Sequence, residues 1–328
     1  MPILVLTHAE VEQLLPMPEC ISVMESALAA LARGEAHMPL RMVVRPPDAA
    51  GVMALMPSYK SGGTPLYGLK AIGIFPQNPA LGKDAHQGSV MLFSGETGEL
   101  LALMNASAIT AIRTAAVSGV ATKLLAREDA SNLALLGSGV QARSHIEAMA
   151  CVRRIRRCRV ASRNFEHARK FADEIGTRHS FPIEAVESAE AAVRGADLIV
   201  AATTAREPIL KREWILGGAH LNVVGSSIPA AREVDTATMA AASLFVDRRD
   251  SALNEAGDYL IPAREGVIGP EHIRAEIGEL VIGAKPGRTS RDEITLFKSL
   301  GLAVEDLASA EYVYRKAQEK RAGSWVEF

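Results

Sequence analysis

Three things are scarce in this chain of 328 residues: aromatics make up 5%, cysteine occurs 3 times, and neither sign of charge dominates, with 36 Lys and Arg against 38 Asp and Glu. Interspersed, balanced charge argues against nucleic-acid and membrane-surface partners, which would require a concentrated basic face. The cysteines Cys20, Cys151 and Cys158 are odd in number and form no C-x-x-C pair. No histidine cluster has metal-ligand spacing either, so no metal site is expected. A reducing, cytoplasmic compartment fits this usage. No uninterrupted apolar run approaches the ~18 residues of a membrane span, and "MPILVLTHAEVEQLL" lacks the basic start, apolar core and cleavage site of a secretory signal. The basic stretch "RRIRRCR" (153–159) reads as a solvated helix end running into a strand.

What is present is the composition of a globular protein, 48% hydrophobic and 23% charged. At ~100–200 residues per domain the chain has room for two. "TPLYGLKAIGIFP" and "GSVMLFSGETGELLALMN" alternate or run apolar around the turn "GETG", which predicts a β-hairpin. Residues 110–126, "TAIRTAAVSGVATKLLA", place small residues at helical spacing and predict a closely packed helix. From about Ser131 the pattern alternates. "NLALLG", "RCRVAS", "DLIVAAT", "HLNVVG" and "SLFVD" read as strands, with helices over 141–150, 165–175 and 189–194. That alternation is the signature of a parallel, doubly wound sheet. Glu207 and Pro208 read as a turn before a short strand. After Arg249 the pattern loosens into loops, including "GDYLIPAREG" around Asp258. "RDEITLFKSLGLAVEDLASAEYVYRKAQEK" closes the chain with helical periodicity, and Glu305 and Asp306 in it, at a helix start, either face a ligand site or, more simply, cap or salt-bridge.

Between the first of these strands and its helix stands "GSGVQA", with Gly137, Gly139 and Ala142 in a G-x-G-x-x-A arrangement. The first glycine permits a tight turn, the second lets a pyrophosphate approach the backbone, and the third small residue lets helix and strand pack closely. The helix N-terminus then offers unpaired N–H groups to phosphate. At the end of the second strand, where an acidic residue would hold a ribose 2′-hydroxyl, the chain reads "VASRNFEHA": Ser162 and Arg163, with no carboxylate before Glu166. A hydroxyl and a guanidinium suit a 2′-phosphate, so NADP(H) is the expected cofactor, with NAD(H) as the weaker one.

Three cations lie in apolar settings: Arg41 in "MPLRMVV", Lys70 in "YGLKAIGI" and Arg113 in "ITAIRTAAVS". Singly, each reads as a long side chain reaching for solvent. Together they would form an anion pocket, arginine clamping a carboxylate and lysine adding a compact charge. His86 in "DAHQGSV" either reaches that pocket from a loop or serves as a hydrogen-bonded structural residue.

The combination "GVMALMPSY", "GLKAIGIFPQN", "ITAIRTAAVSGVATKLLA", "LLGSGVQARSHIEA", "GAHLNVVGSSIP" and "TLFKSLGLAVEDLASA" resembles the ornithine cyclodeaminase/mu-crystallin family over nearly the whole chain. The resemblance implies a Rossmann domain over 116–299 and an α+β substrate-binding and dimerisation domain over 1–115, with 300–328 packing back on it, in a homodimer. It implies that Arg41, Lys70 and Arg113 hold a substrate carboxylate and that Lys70 takes part in catalysis. Dinucleotide contacts then fall to Arg113, Thr114, Gly137, Gly139, Val140, Gln141, Ser162, Arg163, Thr203, Val224, Gly225, Ser226 and Ser299.

Departures from the cyclodeaminases narrow the reaction. Those enzymes carry an aspartate where this chain has Ser227, and a glutamate where it has Ala54. Both acids that would hold a second ammonium are missing, and "VGSSIP" looks like the mu-crystallin branch. The implied activity is NAD(P)H-dependent reduction of Δ1-pyrroline-2-carboxylate or Δ1-piperideine-2-carboxylate to L-proline or L-pipecolate. Rival readings are an alanine-type amino-acid dehydrogenase or a cyclodeaminase on the same scaffold, and a non-catalytic NADP-binding protein.

Overall fold

A computed structural model describes residues 2–327. The chain divides into two compact units: one runs to Thr114 and resumes at Gly301, and the other is Ala115–Leu300.

The first unit opens with β1 (Pro2–Leu6), α1 (His8–Leu14) and α2 (Met17–Ala32). Thr7 and Glu10 start α1 with a reciprocal capping box. Six strands follow: β2 (Ala36–His37), β3 (Met42–Val44), β4 (Val52–Lys60), β5 (Leu66–Ile74), β6 (His86–Ser94) and β7 (Leu100–Asn105). β4 to β7 form an antiparallel meander, and the β6–β7 hairpin turns at "GETG" as its glycines suggest. β1 then adds in parallel to β7. Side chains alternate across a strand, so Leu66, Gly68, Lys70 and Ile72 share the buried face of β5. A lysine thus stands in a row otherwise reserved for small and apolar residues. α3 (Ala106–Leu125) begins in this unit and ends in the second. It starts four residues before the alanine-rich stretch because Asn105 Oδ1 accepts the Ala108 N–H at 3.0 Å. By length and composition α3 would suffice to cross a membrane, but 78% of its most apolar stretch is buried in the protein, as in an ordinary core helix.

The second unit contains β8 (Asn132–Leu136), α4 (Val140–Val152), β9 (Arg157–Ala161), α5 (Phe165–Gly176), β10 (Ile183–Ala185), α6 (Ala189–Val193), β11 (Leu198–Ala201) and β12 (His220–Val223). It continues with α7 (Thr236–Ala241), β13 (Ser243–Val246), α8 (Arg249–Glu255), α9 (Gly257–Arg264), β14 (Ile273–Glu276), α10 (Ile277–Val281) and β15 (Thr295–Lys298). The strands pair in parallel in the order β10-β9-β8-β11-β12-β15-β13-β14. The fold is therefore the expected α/β, doubly wound arrangement. Strand order reverses direction between β8 and β11, and the crevice at their carboxyl ends is where such sheets bind ligands. Leu136, Ile199, Leu221, Val223 and Leu244 are among the apolar side chains that fill the core beneath it.

Four expectations need correction here. The closing segment is not helical throughout: Thr295–Lys298 is β15, fully buried between β12 and β13. A strand buried on both faces shows no alternation, so its apolar run merges with the helical pattern beyond it. The region after Arg249 holds α8, α9, β14 and α10, and Asp258 lies in α9, fully buried, in a helix short enough to have no readable period. The stretch after Pro208 forms only an isolated bridge between Leu210 and Val234. Arg153 is not a solvated helix end, for its guanidinium donates to the carbonyls of Thr122, Lys123, Ala126 and Arg127 and thereby satisfies the end of α3.

The chain then returns to the first unit. α11 (Ala303–Lys320) packs on β4, β5 and β6, and β16 (Ser324–Glu327) adds antiparallel to β1. Helix and sheet approach closely because residue 68 is glycine: a Cβ there would lie 3.0 Å from Leu307 Cβ and from Ser58 Oγ. The same approach lets Ser58 Oγ donate to the Ala303 carbonyl at 3.1 Å. α11 thereby delivers its first turn onto the face of β5 that carries Lys70.

Candidate active site

That first turn assembles a charged cluster. Lys70 Nζ lies 3.1 Å from Asp306 Oδ1, and Arg113 Nε donates to the same oxygen at 2.9 Å. Arg113 also donates from its terminal nitrogen to Glu305 Oε2 at 2.8 Å. Arg41 donates to the Gly301 carbonyl at 3.1 Å. Gly301 has φ of +81°, and a Cβ there would lie 2.5 Å from the Arg113 guanidinium, so only glycine lets the arginine pass. Glu305 also accepts the Leu302 N–H at 3.1 Å, which ties the cluster to the start of α11. Six consecutive residues of the returning chain, 301–306, thus hold all three cations.

The electrostatics follow from burial. Lys70, Arg113, Glu305 and Asp306 are each at most 3% exposed. Burial lowers the Lys70 ammonium to about 8; Asp306 pulls the other way, and Arg113 and Arg41 reinforce the lowering. Burial alone would raise the Asp306 carboxyl, but Arg113 and Lys70 outweigh it and keep the group below its usual range. The cluster brings the three cations Arg41, Lys70 and Arg113 together with the carboxylates of Glu305 and Asp306. Arginine and lysine grouped in this way are suited to clamping a carboxylate. Glu305 and Asp306 do form salt bridges, as the sequence suggests, but inside this cluster and with its cations. His86 opens β6 at an exposed position, and crowding by protein, then Lys70 and Arg113, lower its imidazole. Ala54 is buried, so β4 presents no acidic side chain at that point, and Ser227 is exposed.

The second unit carries a separate set of features. Gly137 has φ of +111°, and a Cβ there would lie 2.5 Å from the Ala202 carbonyl oxygen. Gly139 precedes α4, and a Cβ there would meet nothing within 4 Å. No side chain caps the helix, so its first N–H groups stay available to a phosphate. Val140 is exposed and Gln141 half-buried at the same turn, while Ala142 is fully buried against the sheet. Ser162 follows β9 and receives a hydrogen bond from Ser138 Oγ at 3.1 Å; Arg163 beside it is exposed. These features fit a dinucleotide: a backbone cradle for pyrophosphate and, beyond β9, a hydroxyl and a guanidinium at the end of the second strand.

Thr203, Val224, Gly225 and Ser226 follow β11 and β12, and Ser299 follows β15, all at the carboxyl edge of the sheet. Thr114 is buried in α3 next to Arg113. The reading from sequence missed what holds these loops, namely Glu233, Asp258 and Lys298, each fully buried. One signal was available: Lys298 sits in "TLFKSL", an ionisable group in an apolar run, which burial requires to be paired. Among the described residues no group of His, Cys, Asp and Glu is placed to hold a metal ion.

A doubly wound dinucleotide fold in the second unit and a cationic nest in the first define a class of two-unit, cofactor-dependent proteins acting on small acids. Residues 2–321 match the ornithine cyclodeaminase/mu-crystallin family, and the chain belongs to that family. It is 38% identical to the Δ1-pyrroline-2-carboxylate reductase of Bacillus cereus, over 99% of this chain and 100% of that one. Identity to the ketimine reductase mu-crystallin of Mus musculus is 40%, covering 89% and 90% of the two chains. The solved structure of Thermococcus litoralis Δ1-pyrroline-2-carboxylate reductase in complex with NADH and L-proline superposes with a TM-score of 0.95. It shares 42% identity and covers 98% of this chain and 99% of its own.

Proposed function

We propose that this protein reduces cyclic ketimines, Δ1-pyrroline-2-carboxylate and Δ1-piperideine-2-carboxylate, to L-proline and L-pipecolate at the expense of a reduced nicotinamide dinucleotide. One observation carries the reading: Lys70 and Arg113, both buried, and half-buried Arg41 are gathered by residues 301–306, with no acidic side chain at Ala54 or Ser227 to take a second ammonium. The bound reduced dinucleotide supplies the hydride that adds to the C=N carbon. Arg41, Lys70 and Arg113 fix the carboxylate next to that carbon, and well-oriented binding of this kind lowers a barrier by up to about 7–11 kcal/mol. Asp306 takes one of the three Lys70 donors. The others remain to hold the carboxylate and to keep a proton at the imine nitrogen, and a lysine poised near 8 suits that task at neutral pH.

Ser162 and Arg163 favour NADP(H) on charge grounds, while the Thermococcus litoralis structure holds NADH, so both cofactors belong in the test. The buried thiols of Cys20 and Cys158, neither in a disulfide, support a cytoplasmic location. A homodimer is supported by an exposed apolar strip, Met42, Val43 and Val44 on β3 with Met53 on the neighbouring β4, which a second copy would cover.

The deciding experiment is a substrate panel with each cofactor: both cyclic imines, pyruvate with ammonia, and L-ornithine. Turnover of the imines alone is expected. Turnover of pyruvate with ammonia in their place would make the protein an amino-acid dehydrogenase, and conversion of ornithine would make it a cyclodeaminase. Cofactor binding by calorimetry with no turnover of any substrate would make it a binding protein.

A further inference from the structure

The crevice of the second unit is built by a buried acid. The loops after β11 and β12 bring Thr203 and Gly225 together around Glu233. Glu233 Oε1 accepts from both the N–H and the hydroxyl of Thr203 at 2.7 Å, and Oε2 accepts from the Gly225 N–H at 2.7 Å. No side chain fits at residue 225, since a Cβ would lie 2.2 Å from the Thr203 carbonyl oxygen and 2.5 Å from Glu233 Oε1. The acid is itself anchored. Its own N–H and that of Val234 donate to Asp258 Oδ1 at 2.7 and 3.1 Å, and Asp258 Oδ2 lies 3.0 Å from Lys298 Nζ. Lys298 also donates to the Ser226 carbonyl at 2.5 Å, which closes the circuit on the loop after β12.

The position of this clasp gives it a role. Gly137, at the phosphate turn after β8, packs against the carbonyl of Ala202, the residue before Thr203. The Thr203 loop therefore borders the crevice between β8 and β11, where a sheet of this order takes its dinucleotide. A backbone N–H pair fastened by one carboxylate is pre-organised at no reorganisation cost when the ligand arrives.

We propose that Glu233 is a positioning residue of the dinucleotide site: it touches no ligand atom, but its carboxylate splints the loops after β11 and β12 into the shape that binds the cofactor. The proposal rests on the dinucleotide reading of the second unit and not on the imine chemistry. Burial, opposed by Lys298 and reinforced by Asp258, raises the Glu233 carboxyl, in keeping with a group held by acceptor geometry and not by a close ion pair.

The test measures the dissociation constants of NADPH and NADH by nicotinamide fluorescence, with thermal melting of each variant, for the wild type, E233Q, T203V and the double variant. A glutamine keeps one acceptor and turns an amide N–H toward a backbone N–H, so E233Q should weaken both dinucleotides about tenfold, as loss of charge-assisted hydrogen bonds does. T203V should weaken them about threefold. The two effects should not add, because the Thr203 hydroxyl acts through that carboxylate. The KM for the imino acid should stay within about twofold, since its carboxylate is held in the other unit. A folded E233Q that binds both dinucleotides like the wild type, or additive effects in the double variant, overturns the proposal. Should E233Q fail to fold, wild-type affinity in T203V overturns it equally. A wild type that binds neither dinucleotide is a separate result, and it removes the cofactor reading itself.

Discussion

The two charge clusters are built from the same kinds of side chain in opposite proportion. In the first unit Arg41, Lys70 and Arg113 outnumber Glu305 and Asp306; in the second Glu233 and Asp258 outnumber Lys298. Burial presses on the surplus in each case, lowering Lys70 to about 8 and raising Glu233. The surplus is used differently. Excess acceptors in the second unit turn inward and bind the protein's own N–H groups at Thr203 and Gly225. In the first unit the donors converge instead on the two carboxylates and on the Gly301 carbonyl, so that Lys70 and Arg113 share one oxygen of Asp306. One cluster thus fastens backbone N–H groups and the other gathers cations around shared carboxylates.

The comparison breaks most readily at Lys70. Replacing it with methionine keeps the volume and removes the donor, and turnover at saturating imine should fall by about a hundredfold or more, as expected for a lost acid–base group. Near-normal saturated turnover would reduce Lys70 to a packing residue. Asp306→Asn sharpens the contrast next. It leaves Lys70 and Arg113 buried without the carboxylate between them, at a cost of about 3–5 kcal/mol in denaturant unfolding. Asp306 raises Lys70, so its removal must lower that lysine further. In the wild type, kcat/KM should fall as pH rises above about 8 and Lys70 loses its proton; in D306N the same fall should begin at lower pH. An unmoved alkaline limb would show that another group controls it.

A smaller effect is expected at the cofactor end. Arg163→Ala should reduce the preference for NADPH over NADH by about tenfold, the size of one lost charge-assisted contact. An unchanged ratio of kcat/KM values would return Arg163 to the solvent. The contrast extends to acid stability. Burial holds His145 down at about 4 and His220 at about 3, below the usual 6.5 of the free side chain. Both stay neutral in the folded chain while the unfolded chain takes up protons. Stability should therefore be level above about pH 7 and decline as pH falls from about 6.5 toward 3. A melting temperature that stays constant between pH 7 and 4 would contradict the burial of these two rings.

Much of this architecture was legible in one dimension, for reasons that differ by element. The phosphate turn could be read because each glycine answers a local steric demand: Gly137 needs a positive φ and Gly139 an open flank. β5 could be read from its alternation, and that alternation marks Lys70 as inward-facing. β15 could not, because a strand buried on both faces has no period. Nor could α9, where Pro262 and a length of 8 residues obscure the helical repeat.

Local chemistry, then, was settled by the order of residues: which turn cradles phosphate, which strands alternate, which cations stand among apolar neighbours and where acids are missing. Pairing was settled only by folding. Asp306 meets Lys70 and Arg113 across 236 and 193 positions, and Glu233 joins loops 30 and 8 residues away. A charge in the sequence has a sign but no partner. Its pKa, and with it its use as clamp, proton holder or splint, depends on the few ångströms of separation and the loss of water that tertiary packing supplies.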